Sequence, residues 1–184
     1  KERNVILEEI NMYRDFPARY VFELLDNVMF QNHPLGTSIL GTPDSLQNIN
    51  RQTLFNFVET YHTGKNLVLS VSGRFDENLL IKTSKMFLNA VPPGERASFI
   101  PFTKMESASF YNIEIKKTEQ CHFCLGFYAY PRGDDRRFAL SLANIILGGN
   151  MSSRLFNEMR ENRGLAYDIK SYIRSFYDTG TAII

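Results

Sequence analysis

Residues 2–13, Glu2-Arg3-Asn4-Val5-Ile6-Leu7-Glu8-Glu9-Ile10-Asn11-Met12-Tyr13, repeat their apolar members at helical spacing and set two carboxylates among them. At about 100° per residue, Glu2 and Glu9 fall within about 20° of each other, because seven residues make almost two full turns. Val5 and Met12 flank them on one side of the wheel and Ile6 and Tyr13 on the other, while Arg3, Asn4 and Asn11 point elsewhere. The two glutamates are thus expected in the centre of an apolar stripe. A carboxylate on a buried face is costly unless it is paired, protonated or bound to a metal. One reading is a buried salt bridge to an arginine, or an exposed helix end. The other is a metal or catalytic site, with Glu9 deeper in the helix than Glu2. Glu8, about 100° from Glu9, is expected to be solvated.

Outward from this helix, Pro17 interrupts the pattern before it resumes over 18–30. A turn-rich stretch at 31–45 leads to a helix near 50–62, with Leu54, Phe55 and Val58 on one face. Residues 66–73 alternate as a strand, and Asp76 caps a helix running to about residue 89. Then Pro92, Pro93, Gly94 and Pro101 appear without periodicity, the composition of a linker between packed units. The expected organisation is a first-domain part at 1–91, a linker at 92–108 and a second-domain part at 109–184. The last part reads as strands at 109–117 and 122–130, and a helix at 135–147 ending at Gly148-Gly149. A helix at 152–162 stopped by Gly164, a strand over 165–176 and another from Gly180 follow. Strands mixed with helices, without regular βαβ alternation, indicate an α+β fold.

Composition excludes several classes of function. The 184 residues are 43% hydrophobic and 13% aromatic, enough apolar material for a packed, soluble chain. Twenty-one basic residues against 20 acidic ones give a net charge of +1, and the basic residues form no block, so no nucleic-acid partner is implied. Apolar stretches fall well short of the roughly 20 residues that cross a bilayer. Cys121 and Cys124 are too few for a disulfide scaffold or a zinc knuckle and read as ordinary strand residues. Gly148-Gly149 before a helix is followed by no Lys-Ser or Lys-Thr, so a helix cap explains it better than a phosphate loop. The chain opens on Lys1 inside a helical pattern and stops at Ile183-Ile184 within a strand, so both ends are expected to be cut from a longer protein.

The run from Glu2 to Ile10, followed by His33-Pro34-Leu35-Gly36 and Ile39-Leu40-Gly41, resembles the pitrilysin-type (inverzincin, M16-type) zinc peptidases, in particular their mitochondrial processing peptidase-like branch. In that family zinc is held by an H-x-x-E-H pair of histidines and a later glutamate. The resemblance places Glu9 on that third ligand, and Glu2 on a glutamate one heptad earlier that supports catalysis. A second match, from Gly148 to Phe156 and then Arg160 to Tyr167, resembles the family's second homologous domain. There an arginine and a tyrosine seven residues apart reach the substrate, and they fall on Arg160 and Tyr167. Gly164 ends the intervening helix, so both side chains are able to face one cleft.

One departure governs what this chain does alone. No H-x-x-E-H occurs in it, and His33, His62 and His122 each lack another histidine within four positions, so structural roles are expected for all three. The missing motif is expected upstream of Lys1. The resemblance therefore implies two homologous domains, each a mainly antiparallel sheet packed with helices, in a zinc endopeptidase that cleaves extended peptides by metal-activated water. It also admits a non-catalytic partner subunit that binds peptide or a catalytic chain. A peptide substrate and a dimer or paired-domain partner are implied, and zinc is expected to be absent from this piece, which should be inactive by itself. The compartment is open, with cytoplasm or periplasm expected for a bacterial source.

Overall fold

The computed structural model describes residues 2–104 and 110–184. Lys1, the end of the expected linker at 105–108, and Ser109, which opens the expected second domain, lie outside the described residues. Contacts group the chain into two units, one formed by Thr42–Phe99 and the other by the described residues of Lys1–Gly41 and Ile100–Ile184. The architecture is α+β with an antiparallel sheet, as the pattern of elements indicates.

In the larger unit, α1 (Glu2–Arg14) and α2 (Pro17–Met29) are separate helices. Pro17 lacks an N–H and is tolerated at the first turn of α2, so the chain breaks just before it. A 3₁₀ turn at Pro34–Gly36 folds back on the end of α2. The approach is close: a Cβ on Gly36 would stand 2.5 Å from the Phe30 carbonyl oxygen, so only glycine fits there. Among the described residues three strands follow, β1 (Gly126–Ala129), β2 (Tyr172–Ser175) and β3 (Gly180–Ile183), in the order β1-β3-β2. Gly126 pairs with Ile183 and Ala129 with Gly180, while on the other edge Tyr172 pairs with Ile183 and Ser175 with Gly180. The helix α6 (Arg136–Gly148) meets β2, and the Ser171 N–H donates to the Gly148 carbonyl at 2.9 Å.

The core sits where α2 ends against this sheet. Phe30, 1% exposed, meets Phe102, Tyr128 and Phe176 edge-on, with ring centroids 5.1, 6.2 and 5.9 Å away. Such T-shaped pairs set a positive ring edge against a negative ring face and add to what burial contributes. The Tyr128 hydroxyl donates to the Met29 carbonyl, and the Phe102 N–H donates to the Asp178 carboxylate at 2.7 Å. The polar handles in this aromatic core are thereby satisfied.

The second unit contains α3 (Pro43–Asn48), α4 (Arg51–Tyr61), a 3₁₀ turn at Gly64–Asn66 and α5 (Glu77–Leu88). The short α3 was not anticipated, although Thr42 and Ser45 form a capping box around it with Pro43 in the first turn. The Asp76 carboxylate accepts from the Leu79 N–H at 2.9 Å, the N-cap expected from the residue type. After α5 the chain returns to the 3₁₀ turn: the Gly64 N–H donates to the Pro92 carbonyl at 3.1 Å and the Ala97 N–H to the Asn66 side-chain oxygen at 2.6 Å.

Three expected strand segments form no ladder among the described residues: 66–73, 110–117, and 165–171 ahead of β2. Alternation of apolar residues specifies a face, whereas a strand also needs a neighbour to hydrogen-bond. No helix among the described residues is long and apolar enough to cross a membrane.

Candidate functional site

The carboxylate helix comes first. α1 docks through Ile10, 4% exposed, with Ile6 and Leu7 half-buried, whereas Glu2, Val5, Glu8, Glu9 and Met12 are exposed. The expected placing of Glu2 and Glu9 at the centre of the buried stripe is therefore corrected. The docked face lies about 100° round the helix from Glu9. Apolar residues occupy more than one face of α1, so periodicity alone did not select the face that meets its neighbour. Glu2 and Glu9 still share one side, now directed to solvent.

A catalytic zinc takes three protein ligands and an open position. Among the described residues no group of three or more His, Cys, Asp or Glu side chains gathers, so they do not make up such a site by themselves. His33 is committed elsewhere: its Nδ1 accepts from the Leu35 N–H at 3.2 Å and its Nε2 faces the Ile100 carbonyl at 2.9 Å. That arrangement assigns Nε2 as the protonated nitrogen. His62 caps the end of α4 with its ring 6.2 Å from Phe57. Cys121 and Cys124 are free thiols. Burial, and then the charge of Asp26, push the Cys124 thiol above its ordinary range, away from the thiolate form that binds metal.

Arg160 and Tyr167 are brought together. The expected helix is a π-helix over Phe156–Asn162, closed by i→i+5 and longer bonds such as Arg163 N–H to Glu158 carbonyl at 3.2 Å and Leu165 N–H to Met159 carbonyl at 2.8 Å. π-helical turns are rare and are found frequently at functional sites. Gly164 follows with φ +60°, the left-handed conformation that turns the chain sharply and that only glycine adopts without penalty. Through that turn Tyr167 is carried back so that its ring lies 5.3 Å from the Arg160 guanidinium carbon. Tyr167 is 85% exposed, leaving its hydroxyl accessible.

One neighbour of this pair was not anticipated: the Phe156 ring lies 4.8 Å from the same guanidinium carbon. The Glu158 carboxylate accepts from Arg163 Nε at 2.5 Å and from Asn162 at 3.2 Å, and these bonds, Arg163 first, hold it below the ordinary carboxylate range. Phe156 stands four residues before Arg160, a helical spacing that could have flagged it. The guanidinium donates only within its plane; its Nε faces the Glu161 carboxylate at 3.7 Å, beyond hydrogen-bond range, so its N–H donors stay available to a carbonyl or carboxylate. What the arrangement offers chemically is a supported, donor-rich edge beside an exposed phenol.

A family model described as "Peptidase M16 inactive domain" matches residues 48–184. The chain is 38% identical over its whole length to an uncharacterized zinc protease, YmxG, of Bacillus subtilis, and 35% identical to an uncharacterized zinc protease of Rickettsia bellii. It spans 44% of the length of each. Its fold is similar to that of a peptidase M16 inactive domain from Pseudomonas fluorescens, with a TM-score of 0.83 at 24% identity over 98% of this chain and 44% of that one. A protease from Helicobacter pylori gives a TM-score of 0.77 at 20% identity, with 99% and 45% covered. With a family model matched over most of its residues, on an α+β fold shared with that domain, this chain belongs to the peptidase M16 family.

Proposed function

We propose that this chain is part of a zinc-dependent endopeptidase that cleaves extended peptides, and that its contribution is to hold the substrate and not to perform the whole reaction. Arg160 and Tyr167 bind the peptide backbone or the oxyanion that develops on its carbonyl, with Tyr167 donating through its hydroxyl and Arg160 through its N–H edge. Glu9 supplies one carboxylate to a zinc site whose histidines lie in an H-x-x-E-H segment outside these residues, and Glu2 tunes that ligand from one heptad behind. The parent is divided as its residues suggest, with a metal-site domain ending at 1–91, a linker at 92–108 and a homologous substrate-contact domain beginning at 109–184. Its working form is a dimer or a pair of domains.

The observation that carries this reading is the approach of Arg160 to Tyr167 across Gly164. The zinc protease names of its relatives support it further. The test is hydrolysis of an internally quenched peptide by the full-length protein together with its zinc content. Bound zinc, cleavage that stops on chelation, and loss of kcat/KM in Arg160→Ala and Tyr167→Phe are expected. An intact H-x-x-E-H with neither zinc nor cleavage would overturn the proposal. The 184-residue chain alone should not hydrolyse peptides, because its described residues assemble no set of three ligands.

The description of the matched domain as inactive favours a second reading, a non-catalytic subunit that binds peptide or a catalytic chain. A parent in which either histidine of the motif is replaced, and which still binds peptide, would select it.

A further inference from the structure

We infer that Phe156 is a positioning residue for Arg160, a role that rests on the proposed contact of Arg160 with the peptide. An arginine side chain carries about 2 kcal/mol of rotamer entropy, so presenting its donors in one orientation requires something to hold it. Charge pairing holds it only weakly. Arg160 Nε forms an ion pair with the adjacent Glu161, but at 3.7 Å it is too long for a hydrogen bond, and both side chains are exposed to solvent. What does reach the guanidinium is aromatic: Phe156 at 4.8 Å and Tyr167 at 5.3 Å, both inside the range of a cation–π contact.

The two rings differ in how they are held. Tyr167 is highly exposed on the segment after Gly164, while Phe156 is half-buried inside the same π-helix as Arg160. Phe156 is therefore the anchored support and Tyr167 the ring that meets ligand. The π-helix that carries both residues is closed at its far end by backbone bonds, from the Arg163 N–H to the Glu158 carbonyl at 3.2 Å and from the Leu165 N–H to the Met159 carbonyl at 2.8 Å. A phenyl ring is well suited to the task. It attracts the cation with its face and offers no acceptor to compete for the N–H edge.

The test uses the full-length protein, an internally quenched extended peptide as the probe, and the variants Phe156→Leu, Phe156→Tyr, Arg160→Ala and Phe156→Leu/Arg160→Ala. Phe156→Leu keeps apolar bulk and removes the ring, and should lower kcat/KM about three-fold, while Phe156→Tyr restores it. In the Arg160→Ala background the Phe156→Leu effect should vanish, because both act through one guanidinium. An additive effect there, or failure of Phe156→Tyr to restore activity, would overturn the inference and leave a packing role. A loss in Arg160→Ala with none in Phe156→Leu would overturn it as well, while sparing the reading of Arg160. No loss in Arg160→Ala would sink that reading, and this inference with it. Should Phe156→Leu fail to fold, nuclear Overhauser contacts in the unmodified protein settle the matter. Contacts between the Phe156 ring protons and the Arg160 side-chain protons are expected, and their absence would refute the contact.

Discussion

Asp26 on α2 and Arg174 on β2 are 148 residues apart in the chain, yet Arg174 Nη1 donates to Asp26 Oδ2 at 2.9 Å and Nη2 donates to the other carboxylate oxygen. Arg174 Nε donates to Thr181 on the central strand at 3.1 Å. The Asp26 carboxylate bonded to it, with burial acting the other way, sets the Arg174 guanidinium further above its already high range. A forked, partly buried pair is worth more than a surface one, because its charge-assisted bonds are poorly screened. Asp26→Asn should cost about 1–3 kcal/mol in denaturant unfolding. A variant as stable as the parent would show the pair to be incidental. Close by, burial pushes Tyr172 up to about 12. Because its folded value lies above the ordinary one near 10, the protonated phenol favours the folded state. That contribution is complete below pH 10 and is lost as pH rises through about 12. Tyrosinate absorbance should therefore contain a component titrating at about 12 that disappears in Tyr172→Phe.

Among elements, the π-helix depends on how it stops. A Cβ placed on Gly164, at φ +60°, would meet nothing within 4 Å, so substitution there encounters backbone strain and no clash. Gly164→Ala should destabilise the fold by about 1–2 kcal/mol, the penalty of a left-handed residue with a Cβ. It should also shift Tyr167 relative to Arg160, read as weakened nuclear Overhauser contacts between the Tyr167 ring and the Arg160 side chain. Unchanged stability and contacts would mean that the turn tolerates other residues. The helix stop at Gly164 was legible from residue type. The π geometry was not, because it arises from hydrogen-bond register and leaves no periodic mark in so short a segment.

At the scale of the whole molecule, a large amount of apolar surface faces solvent. Leu54, Phe55, Phe57 and Val58 on α4 are exposed, as are Leu79, Met86 and Phe87 on α5 and Val68 and Leu69 in the unpaired 67–71 stretch. Exposed apolar side chains in such number favour association, and unpaired strand-forming segments template it. This chain should elute from size-exclusion chromatography ahead of a monomer and brighten a hydrophobic dye. A monodisperse monomer with no dye response would contradict both expectations.

Several features could be read from residue order alone: the break at Pro17, the Asp76 cap, the turn at Gly164 and the α+β pattern. Each depends on contacts within a few residues, where residue type and spacing decide the outcome. Tertiary packing alone decided which face of α1 docks, leaving Glu2 and Glu9 in solvent and Ile10 inside. It also chose which alternating segments found partners, and it joined Asp26 to Arg174 and Phe30 to Phe176. Those outcomes depend on which surfaces meet, and residues far apart in sequence carry no local record of each other.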